Sequence, residues 1–294
     1  MGSNQHYPEE AKAHRVRVDA FWMDRAPVTN KEFENFVEAT HYKTFAERQP
    51  DAATYPDAIP EMLHPGSAVF VKPRREMVGA GDWWQFVLGA DWRHPRGPGS
   101  SIEGLENHPV VHVAYCDAEA YAEWAHKDLP TEAEWEFAAR GGLDRAEFAW
   151  GDEMYPGGKQ MANTWQGEFP WQNLCSDGYE GSSPVDAFPP NGYGLVDMIG
   201  NVWEWTSDWF QQNHPEEPAK PCCVPANPRG TQKDASYDPN EPVRIPRKVI
   251  KGGSQLCAPN YCRRYRPAAR IAQPVDTSTS HIGFRCTLRP NPKF

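Results

Sequence analysis

Two cysteines five residues apart, Cys257 and Cys262, stand in the segment Lys251-Gly252-Gly253-Ser254-Gln255-Leu256-Cys257-Ala258-Pro259-Asn260-Tyr261-Cys262. On a flat strand, residues five apart point to opposite faces. Pro259-Asn260 is a turn signal, however, and a bend there can bring both sulfurs to one point. Zinc wants four ligands, usually with two further Cys or His at recognisable spacing, and none lies nearby in the chain. A soft ion of low coordination such as Cu(I) is content with two thiolates and keeps room for a third sulfur. A redox disulfide and two unrelated buried thiols are the competing readings. Arg263, Arg264, Arg266 and Arg270 follow. Cationic neighbours lower thiol pKa values, although the same arginines also read as solvent-facing or as partners of an acidic excess.

Other constellations carry less. His108 and His112 could suggest a helical metal pair, but Pro109 and the β-branched run favour a strand. Two residues four apart on a strand are about 13 Å from each other, too far to share one ion, so both histidines are expected to be structural. Gly192-Tyr193-Gly194 lacks the third glycine and the strand–helix context of a dinucleotide fingerprint. No P-loop, His-Glu-x-x-His or Gly-x-Ser-x-Gly is present, which removes most support for nucleotide and hydrolase readings.

The elements that must position the thiols are short. The 294 residues include 29 prolines, 23 glycines and 36 aromatics. That is too aromatic for a disordered chain and too broken for a helical bundle, so a loop-rich α+β domain with an aromatic core is expected. Three helices are predicted. The first runs from Thr29 to about Ala39, with a Thr29–Glu32 capping box and a Phe33, Phe36, Val37 stripe. A second follows Asp117, and a third runs from the Thr131–Glu134 capping box to Gly141-Gly142. Residues 50–110 show no sustained period and read as a surface excursion. Strands are expected at Gly200–Trp205, Arg247–Lys251 and Gly283–Leu288, and residues 211–245, rich in proline, as a mobile loop. No boundary divides the chain, so one domain over residues 1–294 is expected.

The net charge of −10 disfavours nucleic acid and anionic membrane as partners. No apolar run reaches the ~20 residues of a membrane span, and no signal peptide is read. Seven cysteines is an odd number, which argues for use of a few thiols and against a disulfide framework.

The segment Gly253 to Arg266, with Ala268-Ala269-Arg270 and Gly283-Phe284-Arg285-Cys286, resembles the catalytic C-terminal block of formylglycine-generating enzymes, the sulfatase-modifying factors. Leu129-Pro130-Thr131-Glu132-Ala133-Glu134-Trp135-Glu136 and Gly200-Asn201-Val202-Trp203-Glu204-Trp205-Thr206 resemble motifs of the wider superfamily, as do Asn163 to Phe169 and Val185 to Leu195. The likeness starts at Tyr7-Pro8-Glu9-Glu10 and covers nearly the whole chain. Within the superfamily, the Cys-x4-Cys pair separates the oxidases from relatives that keep the fold without it. The resemblance implies a C-type-lectin-like fold low in regular secondary structure. It also implies an enzyme that oxidises the cysteine of a Cys-x-Pro-x-Arg stretch in an unfolded or nascent sulfatase to Cα-formylglycine, using O2. In that family the matching cysteines, here Cys257 and Cys262, bind Cu(I) and the substrate thiolate adds as a third ligand. Ser254 and Tyr261 are then expected to position substrate or water, and Trp203 to wall the site or simply fill the core.

The same resemblance implies two structural calcium ions. One would use Asn163 and Asp177 with carbonyls of Thr164 and Tyr179; the other would use Asp197 and Glu204 with carbonyls of Gly200 and Val202. Both loops mix carboxylate or amide oxygens with irregular backbone, as a hard cation needs. Luminal animal members place disulfide cysteines where this chain has Ala122, Ala139 and Pro267. That departure implies a reducing compartment, hence a cytoplasmic enzyme of bacterial type, expected to act as a monomer. Cys222 and Cys223 match no family motif and read as loop thiols. Two rivals remain. One is a calcium-stabilised, lectin-like binding module without chemistry, which the intact thiol pair disfavours. The other is a copper-free thiol oxidase cycling Cys257 and Cys262 as a disulfide.

Overall fold

The computed structural model describes residues 1–56, 58–74, 83–214 and 223–290. Its elements are few. Helix α1 (Asn30–Thr40) carries the expected capping box at Thr29 and Glu32, buries Phe33, Phe36 and Val37, and ends on His41 in the left-handed region. Helix α2 (Tyr115–Trp124) begins two residues before Asp117, whose carboxylate caps it by accepting from the Ala114 nitrogen at 2.8 Å. Helix α3 (Glu132–Arg140) is framed by Thr131 and Glu134 at its start and by Gly141, φ 56°, at its end.

The larger sheet holds four strands in the order β6-β5-β4-β7, where β4 is Trp203–Trp209, β5 Arg247–Lys251, β6 Arg270–Pro274 and β7 Ile282–Gly283. β5 runs antiparallel to both neighbours, and β4 and β7 are parallel. β4 is buried along its first four residues without alternation, as befits a strand covered on both faces. A register shift between Trp205 and Trp209 bulges it. Two strands differ from expectation. β4 extends to Trp209, and the segment 283–288 divides between β7 and β8 (Thr287–Leu288), which pairs with β1 (Trp22–Met23) in a separate two-stranded sheet.

The 50–110 region is also more ordered than its sequence period suggests. It contains an antiparallel pair, β2 (Gly66–Phe70) and β3 (Trp84–Leu88), joined to the chain before β7 through Ala68 N to Ser278 O at 3.2 Å and Ser280 N to Ala68 O at 3.0 Å. The strand expected around His108–His112 is not formed. His112 has φ 60° and is buried; its Nε2 sits 2.9 Å from the Pro95 carbonyl and its Nδ1 2.7 Å from Ser67 Oγ. His108 instead meets Ser182 Oγ, so the two rings serve different local contacts. Of the 211–245 loop, residues 215–222, including Cys222, lie outside the described residues. Cys223 is exposed.

The core is aromatic. Phe33, Trp92, Trp135, Trp203, Trp205, Tyr265 and Phe284 pack in one cluster that also includes Cys257. A smaller cluster of Trp83, Trp165, Phe169, Leu256 and Ala258 lies along the thiol segment.

Candidate active site

The thiol loop leaves the sheet at the end of β5. Gly252 and Gly253 turn it with φ of 96° and 72°. At Gly253 a Cβ would stand 2.9 Å from the Tyr265 nitrogen and 3.0 Å from the Arg264 carbonyl oxygen, so glycine is required where the two limbs of the loop cross. Three backbone bonds wind the loop: Cys257 N to Ser254 O at 2.9 Å, Tyr261 N to Ala258 O at 3.1 Å and Cys262 N to Ala258 O at 2.9 Å. The last of these closes a single helical turn over Pro259-Asn260, and the bend sets the two sulfurs 3.3 Å apart.

The pair is asymmetric. Cys257 is 2 % exposed, whereas Cys262 is only partly buried. Burial pushes the Cys257 thiol well up. The Cys262 thiol is held below its ordinary range by the Cys257 S–H that donates to it, with the Arg264 guanidinium adding to the effect. The arrangement makes the more accessible sulfur the easier of the two to ionise, and the thiolate is the form that binds metal and attacks. Ser254 is buried beside them. Its N–H points at Cys257 Sγ at 3.4 Å and its Oγ accepts from the Leu256 N–H at 3.2 Å.

Tyr261 is half exposed and stacks on Phe169 with centroids 4.3 Å apart, while Trp83 meets it edge-on at 5.9 Å. Asn260 donates to Glu168 at 3.0 Å, which ties the turn to the loop carrying Phe169. Trp203 lies in the main core at 3 % exposure, its backbone nitrogen bonded to His281 O. The structure thus gathers Cys257, Cys262 and Ser254 tightly, sets Tyr261 on their rim and seats Trp203 in the same core cluster as Cys257.

Charged groups fix both ends of the loop. Lys251, fully buried, lies 3.2 Å from Glu136 and 3.8 Å from Glu132. Beyond Cys262, the arginines are met by a short N-terminal strap, residues 7–10. Arg264 bonds Glu9 at 2.6 Å and 3.1 Å, Arg266 forms a buried fork with Glu10, and Arg270 reaches the Glu9 carbonyl at 3.1 Å as well as Glu132 at 2.7 Å. Sequence reasoning named the arginines but not their partners. The acidic pair in Tyr7-Pro8-Glu9-Glu10 gave no usable signal, because Lys12, Arg15 and Arg17 close by in the chain already offer it partners.

The loops expected to bind calcium brace the thiol loop directly. Gly200 N donates to Gly252 O at 2.9 Å, Gln255 N to Asn201 O at 2.9 Å and Trp165 N to Cys257 O at 3.0 Å. In the first loop, the Gln166 amide nitrogen contacts both the Thr164 carbonyl and Asp177 Oδ2, so two of the four expected ligands converge on one point. Tyr179 N donates to Asp177 Oδ1 at 3.0 Å and Asn163 Nδ2 to Gly181 O at 2.8 Å. In the second, Asp197 Oδ1 is buried without a partner, and burial pushes its carboxyl up to about 6. Glu204 is fully engaged, forked to Arg285 at 2.7 Å and 2.8 Å and accepting from Trp135 Nε1 at 2.7 Å. Gly200 and Val202 bracket the turn into β4.

The profile of the sulfatase-modifying factor enzyme 1-like domain matches residues 1–290. The chain is similar to a formylglycine-generating enzyme of Mycobacterium tuberculosis, 52% identical over 294 residues that cover 99% of this chain and 94% of that protein. It is similar to the formylglycine-generating enzyme of Mus musculus at 46% identity over 277 residues, 94% of this chain and 68% of that one. Among solved structures, PvdO from Pseudomonas aeruginosa shares the fold with a TM-score of 0.63 at 23% identity, covering 99% of this chain and 90% of its own.

Proposed function

This chain belongs to the sulfatase-modifying factor enzyme family, and on that premise we propose that it oxidises the cysteine of a Cys-x-Pro-x-Arg stretch in a sulfatase polypeptide to Cα-formylglycine with O2. The observation that carries the reading is the sulfur pair, 3.3 Å apart with one sulfur buried and the other reachable.

The donor set fits Cu(I). Among the described residues no group of three or more His, Cys, Asp or Glu could hold a metal ion, so a metal at the pair finds two thiolates and little else, too few for zinc and suited to Cu(I). Cys257 and Cys262 would hold it, and the bound metal supplies the activation of O2. The remaining work falls to the protein. The Ser254 N–H and the buried wall fix Cys257, while the accessible side of Cys262 leaves an approach for the substrate thiolate. Tyr261, Phe169 and Trp83 offer an apolar flank suited to the substrate proline. O2 takes four electrons and the substrate cysteine yields two as it becomes a thioaldehyde, so an external thiol must supply the other two. Water then converts the thioaldehyde to aldehyde with release of sulfide.

Calcium fits a structural role in the two bracing loops, with Asn163, Asp177 and carbonyls of Thr164 and Tyr179 at one, and Asp197 and carbonyls of Gly200 and Val202 at the other, where Glu204 would have to share its oxygens with Arg285 and Trp135. The convergent oxygens of the first and the unpartnered Asp197 oxygen of the second support this. A reducing, cytoplasmic setting is supported by Cys116, Cys175, Cys257, Cys262 and Cys286, which are thiols and not disulfides. Among the described residues no helix is long and apolar enough to cross a membrane.

The test is to incubate the protein with a Cys-x-Pro-x-Arg peptide, O2, Cu(I) and a thiol, then follow peptide mass and aldehyde trapping. Formylglycine is expected. Absence of aldehyde overturns the oxidase and favours a binding module. The 3.3 Å between the sulfurs also favours one other mechanism, a copper-free dithiol cycle. Undiminished activity under a strong Cu(I) chelator would select the dithiol cycle over copper, and undiminished activity in Cys262→Ser would remove both.

A further inference from the structure

Four arginines follow the thiol pair, yet three are directed elsewhere. Arg263 reaches outward to Glu147 at 2.6 Å, Arg266 forks onto buried Glu10, and Arg270 pairs with Glu132. Arg264 alone turns back, with Nη1 3.9 Å from Cys262 Sγ. Its Nε and Nη2 both bond Glu9 Oε1, and its guanidinium lies 3.7 Å from the Tyr7 ring centroid. With one edge on a carboxylate and one face on an aromatic ring, a planar guanidinium has its remaining edge fixed in direction. That edge faces the sulfur.

We propose that Arg264, clamped between Tyr7 and Glu9, is a positioning residue that fixes Cys262 Sγ and maintains a local positive field there. The inference rests on the proposed use of Cys262 as the accessible sulfur of the site, and the clamp geometry is its ground. A site that gathers two thiolates, and then a third from substrate, accumulates negative charge that one monovalent metal ion does not offset. Glu9 stands on the far edge of the guanidinium, so the sulfur meets the positive end of the pair. The clamp also explains why Glu9, 255 positions away in sequence from Arg264, is built against the thiol arm with Tyr7 beside it.

The experiment compares the protein with Arg264→Gln, Arg264→Lys, Tyr7→Leu and Arg263→Gln variants. It measures the ratio of iodoacetate to iodoacetamide alkylation rates at Cys262, resolved by peptide mapping, and Cu(I) affinity by chelator competition. Both reagents consume the same thiolate, so their ratio reads the local field and not the protonation state. A guanidinium about 6 Å from the incoming carboxylate under water-like screening changes the ratio about threefold. Arg264→Gln should lower the ratio by about that factor and weaken Cu(I) binding. Tyr7→Leu should move both in the same direction by less, Arg264→Lys should fall between, and Arg263→Gln should match the parent protein. An unchanged ratio and affinity in folded Arg264→Gln overturns the proposal, as does an equal change in Arg263→Gln, which would mark a diffuse charge effect. Should Arg264→Gln fail to fold, unchanged ratios in both Arg264→Lys and Tyr7→Leu overturn it instead. No formylglycine assay enters, so failure of the oxidase reading leaves this result standing.

Discussion

Lys251 is the last residue of β5 and the first support of the thiol loop, and replacing it by Met should be among the most damaging single changes in the chain. Its ammonium is fully buried between Glu136 at 3.2 Å and Glu132 at 3.8 Å, with the Trp135 ring 5.7 Å away. Removing one partner of a buried ion pair typically costs about 3–5 kcal/mol, because the surviving charge remains desolvated. Here both carboxylates keep an arginine, Glu136 with Arg140 at 2.8 Å and Glu132 with Arg270 at 2.7 Å. The loss should therefore sit near the low end, about 3 kcal/mol, which for a protein of this size lowers Tm by roughly 5 °C. The pH dependence gives the sharper check. Burial alone would raise the Glu136 carboxyl, but Lys251 and Arg140 hold it well below the usual carboxylate range. A depressed carboxylate contributes stability above its unfolded pKa, near 4.5, and loses it as pH falls through the folded value. The unfolded state titrates alike in both proteins, so the gap should stay full from pH 7 down to the variant's own folded Glu136 pKa and narrow only as pH falls from there towards the parent's lower value. Urea denaturation of both proteins from pH 7 into acid measures it. A gap under about 1 kcal/mol at pH 7, or one that widens as pH falls, would refute the reasoning.

His112 is buried and its pKa is lowered to about 4 by desolvation. A histidine held neutral contributes stability above pH 6.5 and loses it as pH falls from there towards 4, on the order of 3 kcal/mol in all; His112→Gln should flatten the Tm profile over that range. Calcium removal by a chelator should lower Tm, by the equivalent of about 2.7 kcal/mol if the ion had been present at a hundred times its dissociation constant, and Asp197→Asn should blunt the response; an unchanged Tm on chelation counts against both calcium sites. Tyr261→Ala removes the 4.3 Å stack on Phe169 and should cost about 1 kcal/mol of stability, while raising KM for the peptide more than it lowers kcat; Tyr261→Phe should be close to the parent in both.

Local signals were legible where a single segment carried both pattern and punctuation. The capping boxes at Thr29 and Thr131 and the glycine stop at Gly141 placed α1 and α3 within a residue or two, because helix ends are satisfied by neighbours in sequence. β5 was equally readable as a short segment centred on Val249-Ile250 between the breakers Pro246 and Gly252. The β2–β3 pair was not, since its partners are aromatic residues and the distant Ser278–Ser280 stretch, neither of which imposes a period on residues 50–110. At the site, residue types and spacing singled out Cys257 and Cys262, and the turn at Pro259-Asn260 explained how they could meet. What stayed hidden were contacts whose two halves are far apart in the chain, such as Glu9 with Arg264, Phe169 with Tyr261 and Lys251 with Glu136. Each is ordinary chemistry, but only the fold makes the halves neighbours.

The segment from Gly252 to Cys262 belongs to no sheet, and its outward backbone bonds go to loops, through Gly200, Asn201 and Trp165. A stretch held this way has no opening equilibrium of its own; it opens when the loops that grip it open, and closes with them. The lifetime of the sulfur–sulfur geometry is therefore inherited from the loops around residues 163–165 and 200–201. Whatever rigidifies those loops sets how long the two thiols remain aligned, even though it never touches either sulfur.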